Sequence, residues 1–92
     1  MALRLVLRGR VHGVNCRSFV KSIAFRMDLK GWVKNLSDGS VEVVVDGSLE
    51  ELNEFKKKIF IKNPDSDFGL NVEEIIEEDV DEKDLTPFEI RF

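Results

Sequence analysis

The sequence predicts an α+β sandwich of β-α-β-β-α-β order, with two helices on one face of an antiparallel sheet. Three observations carry that expectation. Apolar residues alternate at period two in 3–8 and 41–45, the repeat of a strand. They recur every three to four residues in 16–27 and 49–59, the repeat of a helix. An Asp38-Gly39 pair separates two strand-like segments at hairpin spacing. Ninety-two residues leave room for one core, so a single domain over 1–92 is expected.

Each element follows from its residues. Leu3, Leu5 and Leu7 alternate with Arg4, Val6 and Arg8, a half-buried first strand. A glycine-bearing segment follows, from Gly9 to Asn15. From Cys16 to Met27, Phe19, Ile23 and Met27 form an apolar stripe flanked by Val20 and Ala24, and Gly31 is expected to stop the helix region. Trp32 to Leu36 is the second strand, Ser37-Asp38-Gly39 the turn, and Val41, Val43 and Val45 the third. Ser48-Leu49-Glu50-Glu51 has capping-box spacing. The helix it opens turns Leu49, Leu52, Phe55 and Ile59 inward, and Glu54, Lys56 and Lys57 outward. Asn63-Pro64 ends it, because residues before proline avoid helical geometry, and a loop runs to Gly69. Leu70 to about Glu78 reads as a fourth strand, and Phe88, Ile90 and Phe92 as a short fifth. The expected architecture is therefore a ferredoxin-like sandwich.

Several function classes fall away. No apolar run exceeds three residues, whereas a membrane span needs about twenty and a signal peptide at least about seven. A cytoplasmic chain is expected, and the single Cys16 agrees with a reducing compartment. One cysteine and one histidine do not make a zinc site, so neither metal nor cofactor is expected. Residues 1–36 hold eight Lys or Arg and one acidic residue, and residues 37–92 hold six and seventeen. The basic first part suits a small anion, while the acidic remainder argues against a nucleic acid partner.

The candidate site lies between the first strand and the first helix. Gly9 and Gly13, with three residues between them, allow a sharp bend. Amides in such a bend can converge on an anion, and a helix start adds further N–H groups. Arg17 stands at that helix start, with donors matched to phosphate oxygens. From these residues alone, an ordinary connecting loop followed by a solvated arginine is the favoured reading. No nucleotide phosphate loop or dinucleotide fingerprint is present. Six positions after Cys16 stands Ser22, not the arginine a cysteine phosphatase needs, so Cys16 reads as an apolar helix-start residue. His12 reads as a loop residue, Asn35 as a strand-end polar residue, and Trp32 as a core or edge anchor.

Two motifs sharpen this picture. Gly9-Arg10-Val11-His12-Gly13-Val14-Asn15-Cys16-Arg17 resembles the acylphosphatase signature G-x-V-Q-G-V-x-F-R. Gly31-Trp32-Val33-Lys34-Asn35, followed by Asp38-Gly39-Ser40-Val41-Glu42, resembles its second signature, G-W-V-x-N-x-x-D-G-x-V-E. The resemblance covers about residues 3–92 and is weakest from Lys62 to Gly69. It implies hydrolysis of acyl phosphates to carboxylate and inorganic phosphate, without metal or cofactor. It also implies roles for the residues. The amides of Val11, His12, Gly13, Val14, Asn15 and Cys16, with Arg17, hold the phosphoryl group, and Asn35 positions the attacking water. The implied partner is a small acyl phosphate, with acetyl phosphate, carbamoyl phosphate and bisphosphoglycerate-type compounds all fitting; a monomer is expected. His12 stands where glutamine is usual, Cys16 replaces a phenylalanine, and Asn63-Pro64 stands where Gly-Pro is common. The first two departures motivate the alternative of an anion-binding or protein-interaction module with weak turnover. A sheet that binds RNA would need aromatics on central strands, and the third strand reads Ser-Val-Glu-Val-Val-Val.

Overall fold

The computed structural model describes residues 1–11, 16–60, 71–82 and 85–91. The elements are β1 (Ala2–Arg10), α1 (Cys16–Arg26), β2 (Lys30–Asn35), β3 (Val41–Asp46), α2 (Leu49–Ile59), β4 (Asn71–Val80) and β5 (Glu89–Arg91). They form one sheet of order β4-β1-β3-β2-β5. The first four strands pair antiparallel, as the split arrangement requires, and β5 adds in parallel beside β2 through Trp32–Glu89, Val33–Ile90 and Lys34–Arg91. The sheet is therefore mixed at one edge. Asn63, Pro64, Gly69 and Phe92 lie outside the described residues, and α2 ends at Ile59 with Phe60 as its C-cap.

Both helices cover the same face. One apolar cluster joins Leu3, Leu5 and Leu7 of β1 with Val33, Val41, Val43 and Val45, and with Val20, Ala24, Leu52, Phe55 and Ile59 of the helices. The outward face of β1 is more buried than expected: Ala2 and Val6 are buried there, while Arg4 is half-buried and Arg8 exposed on the same face, opposite the helices. On that helix-free face Arg4 pairs with Glu42 and Glu78, and Lys34 with Glu42. The stems of such residues shield apolar neighbours while their charged ends stay wet. Trp32, 7% exposed, lies between the Arg91 guanidinium at 4.7 Å and the Lys34 ammonium at 5.6 Å. Its indole N–H donates to Glu82 Oε1 at 3.3 Å. It is a buried anchor on a strand inside the sheet, between β3 and β5.

Helix α2 starts as its sequence dictates, with the Ser48 hydroxyl accepting from Glu51 N–H at 3.1 Å and Glu51 Oε1 accepting from Ser48 N–H at 2.9 Å. Leu49 is a correction: it is 62% exposed. At 100° per residue it sits about a quarter turn from the centre of the Leu52, Phe55 and Ile59 face, at the helix tip. In α1 the fully buried residues are Cys16, Val20 and Ala24, and Phe19, Ile23 and Met27 pack only partly. The stripe is rotated by about sixty degrees from the expected one, since small residues let the helix axis approach the sheet. Nor does Gly31 stop this helix. Asp28 does, at φ 57, with Asp28 N–H bonded to Phe25 O and Leu29 N–H to Ala24 O, a Schellman end with aspartate in the glycine position. Gly31 serves a different need. A Cβ there would lie 1.9 Å from the Val44 carbonyl oxygen.

Candidate active site

Strands β1 and β2 both pair antiparallel with β3, so they point the same way. The chain therefore leaves β1 at Arg10 and leaves β2 at Asn35 at one end of the sheet. Helix α1 begins at that same end, because it follows β1 after five residues. Arg17, in its first turn, and Asn35, the last residue of β2, are both half-buried. Alternation along β2 puts the Asn35 side chain on the face of Val33, the face the helices cover. Val11 and Cys16, which bracket the segment, are each 2% exposed and belong to the core cluster. Apolar side chains thus fix the residues on either side of 12–15. His12, Gly13, Val14 and Asn15 lie outside the described residues.

Burial pushes the Cys16 thiol up to about 12. A thiol so far from ionising has no thiolate to offer as nucleophile or ligand, in keeping with its reading as an apolar helix-start residue. Among the described residues, no three of His, Cys, Asp or Glu converge as a metal cage, and no helix is long and apolar enough to cross a membrane.

The turn after Asn35 holds what the sequence reading missed. Leu36 N–H donates to Ser40 O at 2.9 Å and Gly39, at φ 93, donates to Leu36 O at 3.3 Å. Inside this loop Asp38 Oδ1 accepts the Ser40 N–H at 2.9 Å and also the Ser40 hydroxyl. Those two donors, with Arg8 beyond them, hold the Asp38 carboxyl below its ordinary value. Arg8 Nη2 stands 4.0 Å from Asp38 Oδ2. Together Arg8, Gly9, Asp38, Gly39 and Ser40 line a hollow of about 240 Å³. The signal was present: aspartate two residues before a serine is the spacing of a side-chain-closed turn. Arg8 offered none, since an outward arginine on a strand is unremarkable until its neighbours are known.

Known proteins align along nearly the whole chain. The family model for acylphosphatase matches residues 3–90. An acylphosphatase of Syntrophotalea carbinolica is 36% identical over 91 residues, spanning 98% of this chain and 95% of its own. The crystal structure of acylphosphatase from Bacillus subtilis is similar with a TM-score of 0.83 and 32% identity, covering 99% of this chain and 98% of that one. An acylphosphatase structure from Coxiella burnetii gives 0.84 and 29%, covering 98% and 90%.

Proposed function

The chain belongs to the acylphosphatase family, and from that premise we propose that it hydrolyses acyl phosphates to a carboxylate and inorganic phosphate. The observation that carries the reading is topological: the parallel course of β1 and β2 brings the end of β1, the first turn of α1 and the end of β2 to one end of the sheet. In the proposed site, the amides of Val11, His12, Gly13, Val14, Asn15 and Cys16 ring the phosphoryl oxygens. Arg17 supplies the positive charge and the forked donors. The Asn35 carboxamide, which can accept and donate at once, aims a water at phosphorus.

The chemistry asks little more. The water oxygen bonds to phosphorus, the bond from phosphorus to the acyl oxygen breaks, and its electron pair leaves on the carboxylate. That leaving group has a pKa of roughly 4–5, so it departs without a proton donor. The water's proton passes to a phosphate oxygen. What remains is positioning and charge stabilisation, which amides, a guanidinium and a carboxamide provide without a metal. We further read the chain as one domain that works as a cytoplasmic monomer, which predicts a single 10.6 kDa species in sedimentation.

The deciding assay compares benzoyl phosphate with p-nitrophenyl phosphate. Wild type turns over the first and barely the second, whose leaving group is far more basic. Arg17→Ala abolishes detectable hydrolysis, and Asn35→Ala lowers it by about 10²-fold or more, with folding retained in both. EDTA changes nothing. Arg17→Ala as active as wild type would refute the assignment, and phosphate binding without turnover would favour the anion-binding alternative.

A further inference from the structure

We infer that the groove between α1 and β5 docks an extended acidic segment of another protein. That segment anchors one apolar side chain against Phe25 and adds as a strand alongside β5. The inference stands apart from the acyl phosphate reading, since it uses none of the residues placed in that site. Ser18, Lys21, Ser22, Phe25 and Arg26 recur three and four residues apart, so they share one face of α1. With Ile90 of β5 they line a groove of about 520 Å³. The buried residues Cys16, Val20 and Ala24 hold the other side of the helix to the core.

Three features of the groove select its occupant. Phe25 is 65% exposed, and Ile90, on the β5 wall, is only half-buried. An apolar side chain laid between them removes surface on both sides from water. At 100° per residue, Lys21 and Arg26 fall on opposite sides of Phe25 around the helix. Among the described residues no acidic side chain lines the groove, and neither Lys21 nor Arg26 forms an ion pair. Two such cations around an apolar spot complement carboxylates on either side of an apolar anchor. Finally, β5 ends the sheet and among the described residues pairs only with β2. Its outer backbone groups have no strand partner there, the setting in which an extended peptide adds to a sheet. Side chains alternate along a strand, so residues two apart share the face turned to α1. The matching pattern is therefore acidic-x-apolar-x-acidic. Anionic lipid meets the charges but offers β5 no strand.

The test titrates the isotope-labelled full chain with acetyl-Thr-Glu-Thr-Phe-Thr-Glu-Thr-amide, and with its twin carrying Lys for both Glu, following amide shifts by NMR. Wild type should bind the acidic peptide about tenfold more tightly at low salt, and the advantage should shrink as salt rises. Shifts should centre on α1 and β5, within 18–26 and 89–91. Phe25→Ser should weaken the acidic peptide about fivefold or more. Lys21→Glu combined with Arg26→Glu should reverse the preference in favour of the lysine peptide, a change that loss of folding does not produce. Equal affinity for the two peptides in wild type, shifts centred elsewhere, or an unreversed preference in the double variant overturns the inference. Self-association that the peptide displaces would assign the groove to a second copy, and uptake by phosphatidylserine vesicles without peptide binding would assign it to a lipid surface; either overturns it too.

Discussion

At pH 7.5 the Cys16 thiol of the folded protein should react with iodoacetamide about a thousand times more slowly than the same thiol in the unfolded chain. The magnitude follows from its position. Cys16 is 2% exposed, inside the cluster that joins both helices to the sheet, and burial alone raises its pKa from 9.0 to about 12. Three pH units deplete the thiolate, the reacting species, by about 10³-fold. Alkylation is followed by intact mass with and without guanidinium chloride, and hydrolysis of benzoyl phosphate should survive treatment of the folded protein. The same burial predicts a pH dependence of stability. A raised folded pKa leaves stability intact below 9.0 and removes it as pH climbs from 9.0 towards 12, because only the unfolded thiol ionises there. At about 1.4 kcal/mol per pH unit, roughly 2 kcal/mol is lost by pH 10.5. Cys16→Ala, lacking the group, should lose that much less over the same range in urea titrations. Native labelling within about tenfold of the unfolded rate would refute the burial and the pKa together.

Three further outcomes follow from single positions. Asp28→Gly should stabilise by about 1 kcal/mol and raise Tm by roughly 5 °C, since it relieves a left-handed L-residue and removes an anion from a helix C-terminus; a lower Tm would contradict the Schellman end. Gly31→Ala should lose at least about 3 kcal/mol in urea unfolding, because the added Cβ meets the Val44 carbonyl at 1.9 Å; a wild-type midpoint would contradict the β2–β3 register. Ser40→Ala should raise the Asp38 pKa towards its ordinary value, read by carboxyl carbon NMR. The Asp38 contribution to stability is present above that ordinary value and lost as pH falls through the depressed one; an unmoved titration would contradict the turn.

The sequence by itself determined the element order, the Ser48–Glu51 cap, the Asp38-Gly39 turn, and the two motifs that mark Arg17 and Asn35. These depend on residues within a few positions of each other, and periodicity, caps and turns are written at that range. Tertiary structure alone decided the rest. It buried Ala2 and Val6 on the outward face of β1, and laid β5 parallel to β2. It turned α1 onto Cys16, Val20 and Ala24, left Leu49 in solvent, and brought Gly31 against Val44. It also set Arg8 beside Asp38, thirty residues along the chain, to frame the hollow. Each of these is a meeting between distant segments, and the alternation of one strand carries no record of which strand, helix or charge will lie against it.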